Sequence, residues 1–291
     1  MNKTLIGKDG FLFLQNDSAN ELEVHNDNLC KVNNFFYKKY ENIIDKFLLI
    51  IFPNKSYVCK KYLPDKYNLQ YRPGFDTYKK YLKNNILDGY NYANQEDTFY
   101  KTDTHMNLKG CVNIYNAFVN KVNKIFNLNI VSKKINLAVK EVSSLSELQL
   151  GIGDLIWPNN LGDQELKSKN DTYFFSNDLE LLYCKYIITQ DSEIKILLFN
   201  ENKLEDQTSS FDKQILTWDI VSKYVLYKKN NNSENKKKIL VFYDSFLLST
   251  MSLYLNMFSE VYMFKSVFDS NLVNFINPDY IFEFRVERFL F

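Results

Sequence analysis

Strands and helices alternate along both ends of this chain. The apolar run Lys46–Phe52 has the length of a buried strand, and Asn107–Phe126 carries apolar residues at helical spacing, which predicts a helix with one buried face. The same alternation returns near the other end of the chain, where the pattern predicts a helix over Phe246–Phe258 and strands over Lys238–Tyr243, Glu260–Phe264 and Tyr280–Phe284. Strands connected through helices predict an α/β fold with a mostly parallel sheet.

The middle of the chain has a different pattern, with short apolar stretches separated by polar turns. This pattern predicts a β-rich insertion or lobe over residues 135–235. Residues 1–134 are then the first part of the α/β domain, and residues 236–291 are its second part, which carries the candidate nucleophile. The length of 291 residues is enough for one large domain or two modest ones.

Composition excludes several classes of function. The chain has 36 basic and 35 acidic residues and a formal charge of +1, so no overall field attracts nucleic acid or an anionic membrane. Its four cysteines show neither zinc-site nor disulfide-scaffold spacing. No apolar run approaches the roughly 20 residues of a membrane helix, and the N-terminus lacks a signal peptide. We therefore expect no metal, no nucleic acid partner and no transmembrane segment. As the sequence stands we expect a cytoplasmic protein, or a periplasmic or extracytoplasmic one if a leader has been removed.

Asp244 and Ser245 directly follow the predicted strand Lys238–Tyr243, where a helix begins. The carboxyl edge of parallel strands is where α/β proteins place their sites. The backbone N–H of a serine at this position can stabilise a developing oxyanion. From position alone, however, helix capping is the commoner role of such a serine.

Only two histidines are present, and His105 follows Asp103 at a spacing of two. On an extended loop this spacing puts both side chains on the same side, so Asp103 can orient the imidazole and leave Nε2 for a serine proton. An isolated Asp-x-His pair is also common by chance, and it can belong to a metal site. His25 has Asn and Asp neighbours and is expected at the surface.

Six segments occur in an order that resembles the SGNH-like alginate O-acetyltransferase family, of the AlgX and AlgJ type. These segments are GKDGFLFL (7–14), FPNKSYVCKKYLP (52–64), YKTDTHMNLKG (100–110), GIGDL (151–155), VFYDSF (241–246) and NPDYIFEFRVERFL (277–290). Together they span nearly the whole chain, although residues 165–235 contribute almost nothing. Six matches in order form a fairly specific signal.

The resemblance implies an SGNH-hydrolase-like three-layer sandwich with a circularly permuted triad order. Ser245 would be the nucleophile, His105 the general base and acid, and Asp103 its orienting partner. The implied activity is O-acetylation of a bacterial polysaccharide or glycan, such as a capsule or exopolysaccharide, through an acetyl-serine intermediate. No bound cofactor is implied, but an acetyl donor is required, either acetyl-CoA or an acetylated partner. The implied partners are the glycan acceptor and other polysaccharide-biosynthesis proteins.

The resemblance also suggests roles for three charged residues near the site. Asp244 would hold the nucleophile turn. Glu287 and Arg288 match a Glu-Arg pair of the family, which would form a salt bridge or bind a substrate carboxylate. The salt bridge is the favoured interpretation.

Two positions depart from the family pattern. Tyr243 stands where glycine is usual and Met106 where tryptophan is usual, and both are candidates to line the acceptor groove. Trp157 is a possible glycan contact, although packing within the insertion is the commoner role of such a residue.

Two other functions remain open from the sequence. A carbohydrate acetylesterase would use the same triad, with water in place of the sugar. A non-catalytic glycan-binding module would keep only the scaffold, and Tyr243 is a possible sign of such drift.

Overall fold

A computed structural model describes residues 3–19, 21–27, 36–142, 154–155, 171–175, 192–200, 203–211 and 218–290. Its strands are β1 Thr4–Ile6, β2 Leu12–Leu14, β3 Phe47–Phe52, β4 Ile86–Asp88, β5 Ala138–Val142, β6 Asp171–Phe175, β7 Ser192–Asn200, β8 Lys203–Asp206, β9 Val225–Asn230, β10 Lys238–Tyr243, β11 Glu260–Phe264 and β12 Tyr280–Val286. Its α-helices are α1 Glu21–Asp27, α2 Lys55–Val58, α3 Pro73–Leu82, α4 Leu108–Phe126, α5 Trp218–Lys223, α6 Met251–Leu255 and α7 Ser270–Ile276.

The central sheet has eight strands in the order β4-β3-β12-β10-β11-β9-β7-β8. The first five strands pair in parallel, and the last three extend the sheet by antiparallel pairs. The α/β prediction is confirmed; the sheet is mixed, with four parallel and three antiparallel pairings among the described strands. The physical reason is clearest at β7 and β8, because their connection is far too short for the crossover that parallel pairing requires.

The predicted β-rich insertion contributes strands to this same sheet. Of the strands described within residues 135–235, β7, β8 and β9 belong to the central sheet, and β5 pairs with β6 in a separate two-stranded sheet. The described strands therefore do not all form a lobe apart from the α/β domain. The division of the chain at residues 135 and 235 stays a prediction.

Helices cover both faces of the central sheet. Side chains along β3 alternate between the faces: Leu48, Ile50 and Phe52 pack in one core with α4 and α6, whereas Phe47, Leu49 and Ile51 pack in the other with α3 and α7. This alternation is the two-residue period of a strand. A 3₁₀ helix, Phe36–Lys46, completes the second face. The arrangement is the three-layer sandwich that the resemblance implies.

The longest helix, α4, begins and ends as the sequence predicts. The Asn107 side chain caps its start by accepting a hydrogen bond from the N–H of Gly110, and Asn127 ends it in the left-handed conformation with φ of 52°. The first turn of α4 therefore fixes the end of the loop 101–106. Among the described helices, none combines the length and the apolar character needed to cross a bilayer.

The predicted helix Phe246–Phe258 is shorter and differently wound. A 3₁₀ helix, Ser245–Thr250, comes first and leads into the single α-helical stretch α6. The tight first turn begins at the residue that follows Asp244, and it sets the direction in which the Ser245 side chain leaves the sheet.

Candidate active site

Three neighbouring parallel strands end at the same edge of the sheet. β3 leads into Asn54, β12 leads into Glu287, and β10 leads into Asp244 and Ser245. Polar residues from distant parts of the sequence therefore meet at the carboxyl edge, as expected for a site in this class of fold.

Asp244 holds the turn on which Ser245 lies. Its Oδ1 accepts a hydrogen bond from the N–H of Phe246 at 2.9 Å, and its Oδ2 accepts one from the N–H of Val286 at 2.6 Å. These bonds fasten the end of β10 to the end of β12. Burial raises the pKa of Asp244, and the hydrogen bond from Val286 opposes this rise. Ser245 itself is half-buried, and Asp244 has the structural position that the sequence suggests.

A tight turn presents His105 beside Asp103. Asp103 Oδ1 accepts two hydrogen bonds from this histidine, one from its backbone N–H at 2.8 Å and one from Nδ1 at 2.6 Å. The Asp-x-His spacing was interpreted as part of an extended loop, but residues 101–105 form consecutive bends. The reason is that an aspartate side chain readily accepts from the N–H two residues ahead, which closes a turn. The turn still puts both side chains on the same side.

The imidazole of His105 reaches Ser245 from a position 140 residues away in sequence. Its Nε2 lies 2.8 Å from Ser245 Oγ. With the proton on Nδ1, which faces Asp103, Nε2 accepts the hydroxyl hydrogen of the serine. The imidazole is 28% exposed and lies against the ring of Phe246, with centroids 4.7 Å apart. A path from solvent to the imidazole therefore remains open.

Electrostatics favour the protonated form of His105. Burial by itself lowers the pKa of the imidazole, but the charge of Asp103 and its hydrogen bond outweigh burial, so the pKa lies above its ordinary value. Asp154 adds to the rise, and Arg288 opposes it. The arrangement stabilises an imidazolium, which is the state that forms when histidine takes a proton from serine.

Asp154 also lies beside this site, which its sequence position did not indicate. Its Oδ2 lies 3.6 Å from His105 Nδ1, and its backbone N–H donates to Asp103 Oδ2 at 3.2 Å. Its carboxylate also accepts hydrogen bonds from the N–H of Thr104, at 2.7 Å, and from the hydroxyl of Thr104. Burial raises the pKa of Asp154, and the charge of Asp103 raises it further. The GIGDL segment was the available signal, but nothing in it indicated a contact with the Asp-x-His turn.

Lys55 is a second neighbour that was missed. Its Nζ donates to the backbone carbonyls of Lys101, at 2.7 Å, and Asp103, at 2.9 Å. Lys55 is only 3% exposed, so its ammonium group is held inside the protein beneath the loop that carries His105. The FPNK segment was the available signal, since a charged residue directly after a buried strand needs a partner in the interior.

Tyr243 and Met106 are buried, at 1% and 2% exposure. Both belong to the apolar core on the face of the sheet covered by α4. The expectation that they line an acceptor groove is therefore not met in this conformation, because the residues that replace glycine and tryptophan both point into the core. Trp157 lies outside the described residues.

Glu287 and Arg288 both form ion pairs in the interior. The Glu287 carboxylate accepts from Arg72 Nε at 2.9 and 3.0 Å and from its Nη2 at 2.8 Å, while Arg72 also forks onto Asp88 with two bonds of 2.8 Å. Arg288 Nη1 lies 3.3 Å from Glu21 Oε2. Burial raises the pKa of Glu287, and Arg72 opposes this rise. The geometry fits the favoured salt-bridge interpretation.

His25 is fully buried, so the expectation of a surface position was wrong. Its Nδ1 lies 2.6 Å from the carbonyl oxygen of Tyr71, and its Nε2 lies 2.8 Å from Asn54 Nδ2. The polar sequence neighbours of His25 gave no sign of these partners, which come from distant loops.

Within the described part of the chain, Asp103, His105 and Asp154 offer ligand atoms within 4.8 Å of one another, close enough to hold a cation. Nδ1 of His105 already contacts Asp103, and the carboxylate of Asp154 already accepts from Thr104. A cation would have to displace these hydrogen bonds. Asp103 and His105 use their facing atoms in the contact with each other, and His105 Nε2 contacts Ser245 Oγ.

By sequence, no protein-family model and no curated protein matches the chain. Solved structures do match over nearly the whole length. PatB1 from Bacillus cereus is 15% identical, with a TM-score of 0.58 over 99% of this chain and 96% of that one. A DHHW family protein from Eubacterium siraeum is 13% identical, with a TM-score of 0.58 over 98% and 93%.

The O-acetyltransferase domain of AlgJ from Pseudomonas putida matches with 13% identity and a TM-score of 0.53, over 99% of this chain and 91% of that domain. Identities this low show a common fold and nothing about substrate. This chain therefore has an α/β fold similar to that of the AlgJ O-acetyltransferase domain.

Proposed function

We propose that this protein is an O-acetyltransferase that acetylates a bacterial polysaccharide or glycan through an acetyl-serine intermediate. The observation that carries the proposal is the hydrogen-bonded series from Asp103 to His105 to Ser245, with separations of 2.6 and 2.8 Å, at the carboxyl edge of β10. A serine is a weak nucleophile unless a base adjoins it, and here the base lies within hydrogen-bond distance.

The first half-reaction forms the acetyl-enzyme. Ser245 Oγ attacks the carbonyl carbon of the donor acetyl group while His105 Nε2 takes the hydroxyl proton. The tetrahedral intermediate collapses as the bond from carbon to the donor oxygen or sulfur breaks, and the imidazolium returns the proton to that leaving group. Asp103 stays ionised and stabilises the imidazolium. The raised pKa of His105 supports this role.

The second half-reaction reverses these roles. His105 takes a proton from a sugar hydroxyl, whose oxygen attacks the acetyl carbon, and the proton passes to Ser245 Oγ as the ester bond breaks. General acid–base assistance of this kind contributes roughly 10² to 10⁴ in rate. If water takes the place of the sugar, the same steps describe an acetylesterase. The acceptor is therefore what separates the two activities.

The identity of the acceptor is supported by likeness alone. The motif resemblance favours a polysaccharide acceptor, and the fold shared with the AlgJ O-acetyltransferase domain supports O-acetyl transfer without indicating the acceptor. The donor is acetyl-CoA or an acetylated partner protein. Glycan-synthesis proteins are the expected partners.

The test is intact-mass spectrometry after brief exposure to an activated acetate ester. We expect one added acetyl group on the wild type, mapped to Ser245, and none on Ser245→Ala. The matched control is Ser249→Ala, because Ser249 lies on the same 3₁₀ helix but donates its hydroxyl hydrogen bond to Cys111. PatB1 has been solved with a sulfonyl adduct, so a sulfonyl fluoride serves as a second probe of the same serine.

A chase of the acetylated protein distinguishes transferase from esterase. Transfer predicts that acetyl loss is faster with added glycans than with buffer, and that the glycan gains the acetyl mass. Loss at one rate regardless of glycan would favour the esterase. No adduct on the wild type, together with no Ser245-dependent release of the leaving group from the activated ester, would reject covalent catalysis and favour a binding module.

A further inference from the structure

Asp154 makes contacts to three consecutive residues of the turn that carries His105. Its backbone N–H donates to Asp103 Oδ2, and its carboxylate accepts from the N–H and the hydroxyl of Thr104. Its Oδ2 lies 3.6 Å from Nδ1 of His105. The other carboxylate oxygen of Asp103, Oδ1, accepts from the imidazole. Asp154 therefore lies near Nδ1 of the imidazole, whereas Ser245 lies at Nε2.

An apolar anchor next in sequence holds Asp154 in this place. Leu155 is 1% exposed and packs with Leu12 and Leu14 of the β1–β2 hairpin. The hydroxyl of Thr4 donates to the carbonyl of Leu155. The position of Asp154 is thus fixed by core packing that does not involve His105, so the carboxylate can impose a position on the turn rather than follow it.

We propose that Asp154 is a positioning residue, which clamps the Asp103–His105 turn through its backbone N–H and its carboxylate so that Nε2 stays directed at Ser245. The inference rests on the proposed function, because the turn matters only if His105 is a base. In chemical terms Asp154 acts through two other residues and makes no bond to the acyl group.

The clamp has an electrostatic consequence that a purely structural contact lacks. The charged groups facing the imidazole are Asp103 from its own turn, Asp154 from the segment anchored by Leu155, and Arg288 from the end of β12. Two of these are negative and one is positive. Neutralising Asp154 removes one of the charges that favour the imidazolium, so the pKa of His105 should fall.

The experiment is an NMR titration of the two histidines in wild type, Asp154→Asn and Asp206→Asn. Asp206 is the matched control. Like Asp154, its carboxylate accepts from the N–H and the hydroxyl of a threonine, in this case Thr208. It lies on the edge strand β8, away from His105. We expect the pKa of His105 to fall in Asp154→Asn and to stay at the wild-type value in Asp206→Asn. Equal values in all three proteins would overturn the proposal.

Kinetics with an activated acetate ester supply the second readout. Asp154→Ala loses both side-chain contacts to Thr104, and we expect kcat to fall on the order of tenfold with KM unchanged. Asp154→Asn keeps one acceptor for Thr104 and should retain more of kcat, with an acidic limb at lower pH. Wild-type kcat in Asp154→Ala would also overturn the proposal.

The two proposals fail in different ways. The histidine titration needs no substrate, so an inert wild type rejects the proposed function, while the titration still shows whether Asp154 acts on the imidazole of His105. If Asp154→Ala does not fold, the isosteric Asp154→Asn carries the test.

Discussion

Replacing Asp103 by asparagine tests how His105 is held for catalysis. Among its contacts with described residues, the carboxylate accepts two hydrogen bonds on Oδ1, from His105 N and Nδ1, and one on Oδ2, from the N–H of Asp154. An asparagine has only one acceptor atom. With its oxygen toward His105, its NH₂ meets the N–H of Asp154. With its NH₂ toward His105, two donors face two donors, and the imidazole must move its proton to Nε2 to accept from the amide.

In the second arrangement Nε2 is a donor and cannot take the Ser245 proton. A wrong tautomer in a serine-histidine-aspartate triad lowers kcat by about 10⁴, which corresponds to about 5.4 kcal/mol of transition-state stabilisation. The neutral asparagine also no longer stabilises the imidazolium. We therefore expect Asp103→Asn to lower the rate of acetyl-enzyme formation by roughly 10³ to 10⁴.

The assay is the pre-steady-state burst with an activated acetate ester, combined with intact-mass detection of the adduct. Asp206→Asn is the control for loss of one carboxylate charge, and a thermal melt checks that the variant is folded. If folded Asp103→Asn kept more than about a tenth of the wild-type acylation rate, the orienting role of Asp103 would be refuted.

Four further outcomes follow from the structure. The acylation rate should fall as pH drops through the pKa of His105, with its midpoint above 6.5, because the base must be neutral to accept a proton; a midpoint below 6.5 would contradict the effect of Asp103. Arg72→Met leaves the fully buried carboxylate of Glu287 unpaired, and urea unfolding should show a loss of about 3 to 5 kcal/mol; a loss under about 1 kcal/mol would contradict this. Burial raises the pKa of Cys59 to about 12 and that of Cys111 to about 11, so peptide mapping should find neither alkylated at pH 8 until the protein unfolds. Dialysis against a chelator should leave the acylation rate unchanged, and recovery of lost activity with added zinc would show that the carboxylate–histidine cluster binds a metal.

The parts of the fold that the sequence predicted are those with a strong local pattern. The apolar run of β3 and the helical spacing of α4 can each be recognised from a short stretch of sequence. Both elements lie within a residue of their predicted bounds. The direction of β7, β8 and β9 could not be read in this way, because pairing direction depends on which strand lies alongside. Short hairpin connections give antiparallel pairs wherever they occur, even at the side of a parallel sheet.

The candidate site was predicted in part, and for a different reason. No spacing rule joins Ser245 to a histidine 140 residues earlier; the order of the six motifs made the connection. The contacts that Asp154 and Lys55 make with the Asp-x-His turn were not predicted. Asp154 and Lys55 reach the Asp-x-His turn through loops whose course is set by packing elsewhere, at Leu155 and at the end of β3. Sequence shows such residues but not what they touch.

The placement of arginine in this lysine-rich chain follows from geometry. Only three of the 36 basic residues are arginine, and all three are buried and paired with carboxylates. Arg72 shows why, since its guanidinium forms two parallel bonds to Asp88 and at the same time three to Glu287. A lysine ammonium is a point charge on a flexible stem and cannot fork onto two carboxylates in fixed planes. At the surface the choice between the two residues has little consequence. In the interior, where an unpaired carboxylate is costly, only arginine satisfies both partners, and this requirement holds the end of β12 against the start of α3.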